Sequence, residues 1–155
     1  MKLTGNKMQV QKKKKKIKPL AKRQADEYSK YWKVKLQEVF WGYVDLIQPD
    51  QCAIGYYMGE TCSLKIDRHH LIRRNHKEFE YDINNIIKLC ATHHKYSTKC
   101  SAHKAPLEFS YWLQKTYPKR WGWFVENRNR ITQKYERESY KQLYNKYLKL
   151  IKETL

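Results

Sequence analysis

The sequence predicts an α+β fold: a two-stranded hairpin near the middle of the chain, enclosed by helices from both ends. Three observations lead there. Two short runs rich in branched residues, 64–72 and 85–89, are bounded by polar clusters as strands are. Apolar and aromatic residues recur at helical spacing before and after them, over 21–40 and 106–153. A length of 155 residues leaves room for one hydrophobic core rather than two.

Taken in order, Lys12, Lys13, Lys14, Lys15 and Lys16 are like charges that repel and cannot pack, so residues 1–19 read as a flexible lysine-rich arm closed by Pro19. Residues 20–155 then form a single domain. Over 21–40, Tyr28, Tyr31, Trp32, Val34, Leu36, Val39 and Phe40 mix with charges at helical spacing and predict the first helix. Residues 41–62 contain Gly42, Pro49, Gly55 and Gly59 and read as a loop with a short strand over 53–58. The strands 64–72 and 85–89 follow, joined by the polar stretch 73–84. After Cys90, the run Ala-Thr-His-His-Lys-Tyr-Ser lacks breakers and predicts a helix with Thr92 as its N-cap. Helices over 106–117 and 118–129 each open on a proline suited to a first turn. A last helix over 132–153 carries Tyr140, Leu143, Tyr144, Tyr147, Leu148 and Ile151 three and four residues apart, a stripe by which it should dock.

Charge narrows the function. The chain has 33 Lys and Arg against 15 Asp and Glu, a net +18. Residues 1–40 hold 13 basic and 3 acidic side chains, 41–110 hold 9 and 8, and 111–155 hold 11 and 4. Basic flanks around a nearly neutral centre point to a polyanionic partner, DNA, with a plain solvated basic surface as the alternative. No run approaches the ~20 apolar residues of a membrane span, and the first residues lack a signal-peptide core, so a cytoplasmic location is expected. There the cysteines Cys52, Cys62, Cys90 and Cys100 are thiols or metal ligands rather than disulfides. No internal repeat, Walker-type phosphate loop or serine nucleophile elbow is present, which removes several enzyme classes.

Chemistry concentrates in Asp67-Arg68-His69-His70, in Asn85-Ile-Ile-Lys-Leu-Cys90 and in His93-His94. In order and spacing these three segments resemble the HNH, or ββα-metal, endonucleases. That family carries an acid/His pair or double His on a first strand, an Asn heading a second strand and a His early in the following helix. The resemblance covers about residues 52–100, with helices 106–153 beyond it. The tail Ser-Ala-His-Lys-Ala-Pro-Leu-Glu-Phe from Ser101 to Phe109 is similar to an extension of phage-encoded members, the NinG-like recombination nucleases among them.

The resemblance implies a metal-dependent endonuclease that hydrolyses DNA phosphodiester bonds, in phage DNA processing or recombination and hence in a bacterial host cell. It implies His70 as general base, His69 and His94 as metal ligands, and Asn85 holding the active loop or the base, or approaching the metal through oxygen. Asp67 shares a strand face with His69 and would complete the coordination shell directly or through water. His69 and His70 should fall on opposite faces of a straight strand, so for both to serve one centre the strand must end, twist or bulge there. Thr98 stands where some members carry a further His. One divalent ion, magnesium, manganese, zinc or nickel, is the expected cofactor.

Cys52, Cys62, Cys90 and His93 are candidates for a structural zinc, the alternative being buried thiols that act as small apolar residues. Arg73 and Arg74 either grip phosphates or belong to a solvated loop. His103 either approaches the metal from beyond the helix or is an ordinary satisfied histidine. Trp121, Trp123 and Phe124, at helical spacing, read as core, the alternative being that they stack on unpaired bases. Two other functional classes compete with the nuclease: a non-catalytic, zinc-stabilised nucleic-acid-binding protein, and a basic scaffold whose tyrosine-rich helix binds a protein.

Overall fold

The computed structural model describes residues 20–130 and 137–155. The lysine-rich arm with Lys12 to Lys16, and the expected start of the last helix at residue 132, lie outside the described residues. The fold is α+β, with helices packed on both faces of a two-stranded antiparallel sheet.

Helix α1 (Leu20–Ile47) continues past its expected end at residue 40. Gly42 sits on its exposed face, where a glycine costs a helix about 1 kcal/mol. The buried stripe Leu36, Phe40 and Val44 outweighs that and carries the helix on. The short strand expected over 53–58 is not formed, apart from an isolated bridge between Tyr57 and Glu60. Positive φ at Gly55 (65°), Met58 (51°) and Gly59 (78°) turns the chain too often for an extended segment.

Strands β1 (Ile66–His70) and β2 (Ile86–Cys90) pair antiparallel, with Asp67 opposite Leu89, His69 opposite Ile87 and His70 opposite Ile86. All five residues of β2 are buried, because each face of the hairpin is covered. On one face Ile86 meets Leu36, Phe40 and Val44 of α1 and Tyr147 of α4 (Arg137–Thr154). On the other, Ile87 and Leu89 meet Phe109, Trp112 and Leu113 of α2 (Pro106–Thr116). Helix α3 (Pro118–Asn127) follows directly and packs Trp121 against that second cluster. The tyrosine stripe of α4 docks on α1 as its spacing suggested, and the Tyr147 hydroxyl donates to the Tyr81 carbonyl at 2.7 Å.

Lys88 is the polar exception in β2. Its side chain is 4% exposed, and its ammonium lies 3.0 Å from Asp45 and 3.5 Å from Asp50 and donates to the Gln48 carbonyl at 3.2 Å.

The helix expected after β2 does not form as an α-helix. Thr92–Tyr96 is a single π-helical turn closed by the Ser97 amide on the Thr92 carbonyl at 2.9 Å. Thr92 does not cap it: the N-cap is Ala91, and the Thr92 amide donates to the Ser63 hydroxyl at 3.2 Å. Such single wide turns are characteristic of places where side chains are drawn to ligands. Among the described residues, no helix is long and apolar enough to cross a membrane.

Candidate metal centres

Two groups of ligand-bearing side chains meet at this π turn, and consecutive residues serve them. His93 turns into the first group with Cys52, Cys62 and Cys90, whose ligand atoms all lie within 4.8 Å of one another. The Cys90, Cys52 and Cys62 sulfurs lie 3.2, 3.6 and 3.7 Å from His93 Nδ1. Zinc–sulfur bonds of ~2.3 Å and zinc–nitrogen bonds of ~2.05 Å at the tetrahedral angle place sulfur and nitrogen ~3.5 Å apart, so the spacing fits a Cys3His zinc site.

The thiol chemistry agrees. Burial by itself would raise the Cys90 thiol, but the amides of His93 and Ser63 and the His93 ring outweigh it and bring it down to about 6. Cys62 is pushed up to about 12 by burial and by the Cys52 and Cys90 sulfurs. One thiolate forms readily and its neighbours resist a second negative charge, which a dication would relieve. His93 Nε2 is buried without a hydrogen-bond partner, so the ring is oriented from its Nδ1 side alone. These four residues can hold a zinc-like ion. Cys100 is buried in the neighbouring apolar cluster and stands outside the set.

His94 turns the other way and joins His69 and His103, again with ligand nitrogens within 4.8 Å of one another. The Nε2 atoms of His94 and His103 are 3.2 Å apart, close to the ~3.4 Å expected of two imidazoles on one tetrahedral ion. Asp67 Oδ2 lies 3.0 Å from His94 Nδ1. A carboxylate only accepts there, so His94 Nδ1 carries the hydrogen and Nε2 is left as the electron donor. That hydrogen bond, with Lys65 and Lys95 nearby, keeps the Asp67 carboxyl below its ordinary range despite some burial. Burial, reinforced by His94 and His103, pushes His69 down to about 3, so its ring is neutral at physiological pH.

His103 is the residue that sequence reasoning underrated. The amides of Ala102 and His103 donate to the carbonyls of His93 and His94 at 3.0 and 3.2 Å, folding the chain back beside the π turn. Buried Ser97 and Ser101 tie the return: Ser97 Oγ accepts from the Cys100 amide at 2.9 Å, and Ser101 Oγ donates to the Ser97 carbonyl at 2.7 Å. Two serines capable of such local bonds were the available signal. An imidazole from this loop, rather than from the position of Thr98, completes the trio.

His70 lies apart. It is the last residue of β1, and the pleat sends it to the α1 face, with its ring edge-on to Trp41 at 5.9 Å between centroids. The strand ends there without a bulge bringing His69 and His70 to one face. His70 Nε2 lies 3.2 Å from the Glu80 carbonyl, an acceptor, so Nε2 carries the hydrogen and Nδ1 the lone pair. Burial, followed by the charge of Arg74, lowers its pKa, with the Glu80 carbonyl opposing.

Asn85 is fully buried and spans the loop between the strands. Its Nδ2 donates to the carbonyls of Ile72 at 3.1 Å and Phe79 at 2.8 Å, and its Oδ1 accepts from the Ile72 amide at 2.6 Å. The side chain therefore braces the loop that carries the Glu80 carbonyl, and its oxygen is not presented to the histidine trio.

Arg73 and Arg74 are both exposed. Burial, followed by the charges of His94, Lys95 and Arg73, lowers the His103 pKa. A hollow of about 370 Å³ opens beside β1, walled by Trp41, Asp67, Arg68, Arg74, His94 and Lys95. Comparison of the chain with protein-family models, curated proteins and solved structures finds no match.

Proposed function

We propose that this protein is a metal-dependent endonuclease of HNH type that hydrolyses phosphodiester bonds in DNA. The observation that carries the reading is the convergence of His69 from β1, His94 from the π turn and His103 from the returning loop, with Asp67 fixing the His94 tautomer. A divalent ion bound by these imidazoles would polarise the scissile phosphate and stabilise the leaving oxygen.

The protein supplies the rest of the chemistry. Asp67 acts as a positioning residue for His94 rather than as a ligand. His70 holds its hydrogen on Nε2 against Glu80, keeps Nδ1 free to accept a proton from water, and is the general base. Asn85 is a positioning residue, because the Phe79 carbonyl it holds belongs to the same turn as Glu80. The Cys52, Cys62, Cys90 and His93 set is a structural zinc site that shapes the turn bearing His94. Arg73 and Arg74 contact flanking phosphates, and the basic arm with Lys12 to Lys16 adds sequence-independent attraction.

One observation favours the second reading, a zinc-stabilised nucleic-acid-binding protein that does not cut: His70 and His69 face opposite sides of β1. Plasmid nicking with Mg, Mn, Zn or Ni separates the two. The nuclease reading expects nicking that His70→Ala abolishes while that variant still retards DNA on a gel. Wild-type protein that retards DNA and cuts with none of the four metals would establish the binding module instead.

A further inference from the structure

The hollow beside β1 has a wall that the chemistry above does not use. Trp41, which projects from α1 and is only half-buried, forms one side of it. The Arg68 guanidinium lies over the indole, 5.1 Å from the ring centroid, and is paired with Asp45 on α1. The His70 ring meets the indole edge-on. The guanidinium thus lies on the indole face and is tied to α1 through Asp45, and both groups line a solvent-open hollow. The lining also carries the cations Arg74 and Lys95, beside the single carboxylate of Asp67. Arg74 is exposed and makes no ion pair or hydrogen bond among the described residues, and Lys95 reaches Asp67 only at 3.8 Å. His94, a member of the histidine trio, closes the end of the hollow.

We infer that this hollow is a nucleoside subsite, in which an unpaired base of single-stranded DNA stacks on the Trp41–Arg68 platform while Arg74 and Lys95 hold its phosphate. Aromatic and guanidinium planes stack bases of any sequence, and a base can reach them only when it is out of the double helix. The volume, about 370 Å³, lies within the range of small-ligand pockets. The inference rests on the nucleic-acid reading above and adds a substrate class to it: unpaired nucleotides at ends, branches or single strands, in preference to intact duplex.

The test is fluorescence anisotropy of short labelled single-stranded and duplex DNA against the full chain, with zinc retained and no other divalent ion added, at one fixed salt concentration. Trp41→Ala should weaken single-strand binding about 5- to 150-fold, the span reported by stacking energies, and leave duplex binding within about twofold. Trp41→Phe should recover most of the loss. Arg68→Lys, which keeps the charge and removes the plane, should weaken single-strand binding selectively. Arg74→Ala, at an exposed position where folding is not at risk, should weaken it too.

Equal single-strand binding by wild type and Trp41→Ala, or equal losses on both substrates, would overturn the subsite. Because nothing is cut in this assay, platform-dependent binding by a protein that never nicks plasmid would keep the subsite and reject the nuclease. Nicking that is lost with His70 while Trp41→Ala binds normally would do the reverse.

Discussion

Asn85 concentrates three backbone hydrogen bonds in one buried side chain. Its replacement by Ala would strand the Ile72 amide and carbonyl in a buried site, at ~1–3 kcal/mol for each unpaired group that water cannot reach, while the Phe79 carbonyl keeps the Asp82 amide. We expect Asn85→Ala to lower unfolding stability by ~3 kcal/mol in urea titration, and a change under ~1 kcal/mol would refute the bracing role. Asp45 offers a pH test. Burial tends to raise its carboxyl, but the hydrogen bonds and charges of Arg68 and Lys88 outweigh this and hold it below its ordinary range. A carboxyl lowered in the folded state stabilises above its ordinary pKa and loses that contribution as the pH falls through the lowered value. The difference in melting temperature between wild type and Asp45→Asn should therefore be steady above about pH 5 and shrink towards about pH 2. A difference that grows with acid would contradict the assignment. Of these roles, sequence spacing exposed Asn85 and the histidines, but not Asp45 and Lys88. They are brought together by helix-on-sheet packing across residues far apart in the chain.

At the scale of elements, the Thr92–Tyr96 turn ties the two candidate centres together, because His93 and His94 are adjacent and face different ways. On the proposed reading of Cys52, Cys62, Cys90 and His93 as a zinc site, treatment with a strong chelator should release thiols that a disulfide reagent then detects, and should also abolish cobalt or nickel binding at the histidine trio. Retained trio binding after zinc loss, measured by titration calorimetry, would show that the turn stands without its sulfur ligands. Both strands were legible within two residues because branched residues between polar clusters leave few alternatives. The π turn was not. Its sequence has no breaker, and the turn ends where Ser97 leaves the helical region and its hydroxyl accepts from the Lys99 and Cys100 amides. The strand expected at 53–58 fails for a different reason, the positive φ at Gly55, Met58 and Gly59.

For the whole molecule, charge makes the broadest prediction. The described helices α3 and α4 are lysine- and arginine-bearing, and the lysine arm adds five consecutive cations. Each phosphate contact contributes ~0.9 to the slope of log affinity against log salt on duplex DNA. Replacing Lys12 to Lys16 by alanine should make that slope shallower by up to ~4.5 in a filter-binding or anisotropy series, and an unchanged slope would show that these lysines make no phosphate contacts. Composition, periodicity and spacing determined the α+β class, the basic flanks, the docking stripe of α4 and the identity of most ligand-bearing residues, since these depend on local pattern and on counts of charge. The opposition of His69 and His70 likewise follows from the two-residue period of a strand. Tertiary structure alone decided that Cys52, Cys62 and Cys90 close around His93 and that His103 completes the second cluster. Those outcomes depend on a returning loop and on segments distant in the chain meeting in space, and no one-dimensional spacing encodes such a meeting.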